Sequence, residues 1–138
     1  MSPRERGEKL AARFLEANGY HLVLSNFKVP IGRNRNQAEI TGEIDLIAFD
    51  GDVLCFIEVK SKESDSFASP FSAISLRKQR QITRTARVYR KIFGIRDIPV
   101  RYDAVSVIVT PEGIPRVQLS KGYWTEESLR KKVWREEF

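Results

Sequence analysis

Two short segments constrain this chain most: Gly42-Glu43-Ile44-Asp45-Leu46-Ile47-Ala48 and Phe56-Ile57-Glu58-Val59-Lys60. Each reads as a β-strand, and each spends part of one face on acids. Strand side chains alternate between faces. Glu43, Asp45 and Ile47 therefore share one side, and Ile44, Leu46 and Ala48 the other. On the second strand Phe56, Glu58 and Lys60 lie opposite Ile57 and Val59. Asp50-Gly51 between the strands is a hairpin signal. A two-residue loop there pairs Phe49 with Asp52, sets Asp45 against Phe56 and Glu43 against Glu58, and puts all the acids on one surface. Carboxylates facing each other across strands repel. The apolar neighbours imply burial, where unpaired charge is costly. A bound Mg²⁺ or Mn²⁺ removes that conflict, because hard cations take carboxylate oxygens. Lys60 suits such a site, where an ammonium holds a hydroxide or offsets charge on a phosphate. The bland alternative is a solvated sheet face with a Glu–Lys pair, worth little; the apolar flanks weigh against it.

The rest of the chain supplies a frame of one domain, residues 1–138, with 120–138 as a C-terminal helical tail. Ser2-Pro3-Arg4-Glu5 is a capping-box pattern with proline at the first helical position. Leu10, Ala11, Phe14 and Leu15 recur at helical spacing before the Asn18-Gly19 stop, so a helix is expected over Pro3 to Asn18. Tyr20 to Val29 is strand-like. Pro30 to Thr41 is polar and glycine-containing and reads as a mobile loop. Glu43 to Phe49 and Val53 to Lys60 are strands, and a polar, serine-rich loop spans Ser61 to Pro70. A long helix is expected over Leu76 to Phe93, a strand over Val100 to Val109, a short edge strand at Val117 to Leu119 and a last helix over Thr125 to Glu137. The core order is α-β-β-β-α-β.

Composition narrows the partners. Of 138 residues 41% are hydrophobic and 30% charged, with a formal net charge of +6. That balance fits a soluble domain with a polyanionic partner. The single cysteine, Cys55, excludes a disulfide framework and sits in an apolar run that favours a buried thiol. No apolar run reaches the roughly 20 residues of a membrane span. The charged N-terminus lacks a signal-peptide apolar region. A cytoplasmic location is expected.

The positive charge is concentrated in the long helix. Arg77, Arg80, Arg84, Arg87 and Lys91 fall on one stripe beside a core stripe of Ile82, Ala86, Tyr89 and Phe93. Like charges at helical spacing cost stability, so a compensating phosphate backbone is expected there, with a solvated face as the alternative. Lys78 and Gln79, at the helix start, can reach a nearby site. Glu8 shares a helix face with Ala11, Ala12 and Leu15. By spacing it is equally a helix-dipole partner and a fourth carboxylate for the acidic surface. His21 has no partner visible in the sequence and reads as a surface or partly packed residue.

Gly7-Glu8, Gly42 to Ala48, Phe56 to Lys60, Arg77-Lys78-Gln79-Arg80 and Tyr102-Asp103-Ala104-Val105 together resemble the YraN-like family of small bacterial proteins. That family is similar to the restriction-endonuclease-like PD-(D/E)xK superfamily and, within it, to Holliday-junction resolvases. The resemblance runs from about Arg6 to Val109. It implies an α/β fold with a mixed central sheet flanked by helices, and metal-dependent cleavage of phosphodiester bonds; structured or branched DNA is the expected substrate. The resemblance implies Asp45 as a metal-binding aspartate, Glu58 and Lys60 as the Glu-x-Lys pair, and Glu8 as the helix glutamate that some members add; Asp45 and Glu58 are then expected to bind Mg²⁺ or Mn²⁺, with the carbonyl of Val59 as a further ligand. Arg77, Lys78, Arg80, Arg84, Arg87 and Lys91 would hold the nucleic acid. A homodimer would suit paired cuts in branched DNA. Ile44 stands where the superfamily motif has proline, and the segment Pro30 to Thr41 looks longer than the usual connection. A non-catalytic nucleic-acid-binding module on the same fold is the main rival. An interaction protein using Trp124, Trp134 and the last helix is another.

Overall fold

The computed structural model describes residues 1–63, 74–109 and 113–130. Helix α1 (Pro3–Ala17) begins at the expected capping box: Ser2 accepts from the Glu5 N–H and the Glu5 side chain bonds back to Ser2. Strands β1 (Tyr20–Arg33), β2 (Glu39–Asp50) and β3 (Val53–Glu63) follow, then helix α2 (Leu76–Ile92), β4 (Val100–Val109) and β5 (Arg116–Trp124). The sheet order is β1-β2-β3-β4-β5. Only β3 and β4, joined through α2, run parallel. The mixed sheet flanked by helices is the architecture expected from the sequence.

Each helix covers one face. Ala11 and Leu15 of α1 pack with Leu46, Ala48, Cys55, Ile57, Val105 and Val107. Ile82, Ala86 and Tyr89 of α2 pack with Ile44, Ile47, Phe56, Tyr102 and Trp124 on the other face. Cys55 is fully buried, as expected, and burial pushes its thiol up to about 12. Phe93, expected in the α2 core stripe, caps the helix instead and is largely exposed, although its ring stays 4.7 Å from Tyr89.

The segment Pro30 to Thr41 is mostly a hairpin rather than a loop. β1 runs to Arg33 and β2 starts at Glu39, with Pro30 opposite Thr41. β1 is an edge strand, where the N–H that proline lacks has no neighbour to serve. The reversal is tied by Asn34, whose Oδ1 accepts from the Asn36 and Ala38 N–H groups at 2.9 and 3.0 Å.

The β2–β3 turn also differs by two residues from the expected register. Asp50 pairs with Val53, so Gly51-Asp52 is the loop, with Gly51 at φ +59° as a primed hairpin turn requires. Ile47 then faces Phe56 and Leu46 faces Ile57. Asp45, rather than Glu43, is next in line for Glu58. At the other end β5 continues past the expected edge strand to Trp124, so 120–124 is sheet and not helical tail. Gly122, at φ +64°, absorbs the register shift there. Residues 126–130 are helical; the rest of the expected last helix, with Trp134, lies outside the described residues.

Candidate metal and nucleic-acid site

Strand alternation changes phase at Asp45. Ile44 packs on the α2 side with Ile47, whereas Leu46 and Ala48 pack on the α1 side. The face expected to hold Ile44 with Leu46 and Ala48 is therefore broken. The partner strand is irregular at the same level: Ser25 and Phe27 pair with Leu46 and Ile44, and Asn26 between them has φ +53°. The paired register of β2 and β3 ends at Leu46–Ile57. Just beyond it, Asp45 Oδ2 accepts from the Val59 N–H at 2.8 Å, a side chain standing in for the missing ladder bond. Asp45 is thus set between the strands, 5% exposed, and belongs to neither face.

Four elements meet here. Glu8 comes from α1, Glu43 and Asp45 from β2, Glu58 and Lys60 from β3, and Lys78 from the first turn of α2. Gly7 lets α1 approach, because a Cβ there would run into the Ser61 side chain on β3. Gly42 does the same for α2, because a Cβ would meet Thr85. Lys78 Nζ lies 3.9 Å from Glu58 Oε2. Gln79 turns away and donates to the Ile74 carbonyl at 2.9 Å.

The electrostatics are those of acids crowded beyond what water can relieve. Burial pushes the Glu58 carboxyl up to about 8; the negative charge of Asp45 and a hydrogen bond between the two carboxyls add to this, and Lys78 and Lys60 oppose it. Glu8 is also raised, by burial first and then by Asp45, against Arg4 and a hydrogen bond from Asn26. Arg4 bridges the acids: Nη2 lies 2.6 Å from Glu43 and 3.4 Å from Asp45, and Nε 3.3 Å from Glu8. Among the described residues no three His, Cys, Asp or Glu side chains gather at metal-ligand spacing. Asp45 and Glu58 are in hydrogen-bond contact, and the Arg4 guanidinium links Asp45 to Glu8. Two buried carboxyls in contact, with Glu58 raised by burial and by the charge of Asp45, are a donor set that fits a hard divalent cation.

The basic helix is only partly the open stripe that its spacing suggests. Arg77, Arg84, Arg87 and Lys91 are exposed and Arg80 is half-buried. Arg87 is compensated within the chain, by Glu126 at 2.7 Å, and Arg84 donates to the Ile31 carbonyl at 2.7 Å. The upper part of the helix and the β1–β2 hairpin enclose a cleft of about 600 Å³, lined by Ile31, Ile40, Ser75, Arg77, Lys78, Arg80, Gln81 and Arg84. Lys78, one of the residues lining this cleft, is the one that also pairs with Glu58.

Sequence reasoning missed Arg4 and Asn26. Arg4 was visible only as a capping-box residue. Asn26 reaches Glu8 from a left-handed conformation that asparagine tolerates, a signal too weak to single out in a strand. A second polar network was also missed. Asp103, fully buried, accepts from Arg101 Nε at 2.8 Å, Tyr20 Oη at 2.9 Å and the Gly122 N–H at 2.8 Å, while Arg101 also holds Asp50 at 2.7 Å. This explains the Tyr102-Asp103 motif as a sheet anchor. Trp124 is likewise core: its Nε1 donates to Thr83 at 3.0 Å. His21 is exposed, as expected.

Comparison with known proteins places the chain in a bacterial family. The model of the Uncharacterised protein family UPF0102 matches residues 7–107. A UPF0102 protein of Symbiobacterium thermophilum is 38% identical over 83% of this chain and 89% of its own length. One of Renibacterium salmoninarum is 37% identical over 84% of this chain and 90% of its own. The crystal structure of SSO0001 aligns with 90% of this chain and 52% of its own, at 15% identity and a TM-score of 0.36, too distant a likeness to carry an argument.

Proposed function

The chain belongs to the UPF0102 family, and from the site it carries we propose a metal-dependent nuclease that cleaves phosphodiester bonds in DNA, structured or branched DNA above all. One observation supports this most: Asp45 and Glu58 are buried side by side where the strands part, with Glu58 raised to about 8, and Lys60 and Lys78 close by. A purely structural pair of this kind would be a standing cost. Asp45, Glu58 and the Val59 carbonyl would hold Mg²⁺ or Mn²⁺, with Glu8 available to a second ion or to the water. The ion supplies Lewis acidity and a water that ionises near neutral pH. Lys60, whose charge already acts on Glu58, orients the nucleophile or offsets charge on the phosphate. Lys78, Arg77, Arg80 and Arg84 line a cleft, Lys78 also pairing with Glu58, and would carry the phosphate backbone; Arg87 and Lys91 would extend the basic face. A two-fold dimer would present a pair of such sites to a junction.

The test is cleavage of four-way, flap and linear DNA with Mg²⁺ or Mn²⁺, comparing the protein with Asp45→Ala and Glu58→Ala. Cutting lost in both variants supports the enzyme. DNA binding that is unchanged in both variants, with no substrate cut by the unaltered protein, would establish the non-catalytic binding module instead.

A further inference from the structure

Arg4 stands one helical turn ahead of Glu8, before the residues 7–107 that the family model matches. Its guanidinium serves carboxylates on two elements at once, Glu43 and Asp45 on β2 and Glu8 on its own helix. The two ends of this bridge differ in freedom. The Arg4 side chain is 63% exposed, whereas those of Asp45 and Glu8 are 6% and 10% exposed. The acids are fixed by packing and the arginine is the partner that can leave. The individual oxygens sharpen this. Asp45 Oδ2 is committed to the Val59 N–H. Its other oxygen, Oδ1, is the one that would face a cation, and Arg4 Nη2 approaches that atom, at 3.4 Å. The same nitrogen makes its shortest contact with Glu43, 2.6 Å away and more exposed than Asp45.

Resting on the reading of Asp45 and Glu58 as cation ligands, we propose that Arg4 is a resident counter-cation. It neutralises Asp45 and Glu8 when no divalent ion is held and competes with that ion for Asp45 Oδ1. Glu43 is the partner it keeps when displaced. Arg4 is thus a positioning residue that sets the affinity of the site for metal. A lysine lacks the planar fork that reaches several carboxylates together, so its charge alone gives a weaker competitor.

The experiment is titration of the full chain with Mn²⁺, with free Mn²⁺ read by electron paramagnetic resonance, for the unaltered protein, Arg4→Gln and Arg4→Lys. The Ser2–Glu5 capping box remains in both variants, and thermal melts confirm folding. Arg4→Gln is expected to bind Mn²⁺ on the order of three- to tenfold more tightly, with Arg4→Lys between it and the unaltered protein. Equal affinity in all three overturns the proposal while leaving the metal reading intact. Weaker binding by Arg4→Gln also overturns it, because Arg4 would then be organising the carboxylates for the ion. No Mn²⁺ binding by any of the three overturns the metal reading and this proposal with it.

Discussion

Glutamine at position 58 isolates the cost of burying a second carboxyl beside Asp45. In the fold Glu58 is 7% exposed and raised from an ordinary 4.5 to about 8, by desolvation first and Asp45 second. The folded chain therefore holds this proton up to about pH 8, and the unfolded chain releases it near 4.5. Between those values the folded state binds more protons, so stability falls as pH rises. At about 1.4 kcal/mol per unit, the loss across that window reaches at most about 5 kcal/mol. Glu58→Gln cannot ionise, and its amide still donates toward Asp45. Urea unfolding followed by tryptophan fluorescence, in the presence of a chelator, checks this. Near pH 5 the variant should match the unaltered protein within about 1 kcal/mol; near pH 9 it should be more stable by about 3 kcal/mol or more. With a slope of about 1.5 kcal/mol per molar urea, that is a midpoint shift of about 2 M. Mn²⁺ added near pH 9 should stabilise the unaltered protein more than the variant. Parallel stability curves for the two proteins from about pH 5 to 9 would refute the argument.

Three other outcomes test the frame around the site. Arg101→Ala removes the main charge partner of fully buried Asp103 and should cost about 3–5 kcal/mol in urea unfolding; a loss below about 1 kcal/mol would mean that Tyr20 and Gly122 suffice. Gly42→Ala pushes a methyl against Thr85 and Ile31 and should cost about 1–3 kcal/mol, read as a lower melting temperature. Arg80→Glu combined with Arg84→Glu reverses charge in the cleft. It should weaken DNA binding in fluorescence anisotropy and reduce the salt slope by about 2; an unchanged slope removes this cleft from the interface.

Much of the site was legible because its signals are local. Strand parity is a property of a few residues, and it brought Asp45 and Glu58 together even though the expected turn was two residues out of place and the alternation itself breaks at Asp45. A shift of two leaves every side chain on its face. The capping box fixed α1, and the apolar stripe fixed most of α2. What could not be read depends on distant partners. Pro30 marks a loop unless the strand lies at a sheet edge, and edge position is a property of the whole sheet. The basic stripe of α2 looked uncompensated because Glu126, which pairs with Arg87, lies 39 residues away. Phe93 fits the core spacing of α2, but the helix ends under it, at Ile92.

The change of phase at Asp45 is what makes a site from these parts. In a regular strand Asp45 would share a face with Ile47, under α2, and Glu8 on α1 would be on the far side of the sheet. With the phase broken, Asp45 sits in the gap where β2 leaves β3, within reach of both faces. Its two oxygens show this: Oδ2 is held by the β3 backbone and Oδ1 is approached by Arg4 from α1, while Glu58 beside it answers to Lys78 from α2. The glycines of the two motifs then take on a definite role. Gly7 sits against Ser61 and Gly42 against Thr85, so each lowers one helix toward this gap from its own side of the sheet. The acids are the side chains that crowd this gap, but it is the absence of two other side chains that lets α1 and α2 bring Glu8 and Lys78 up to it.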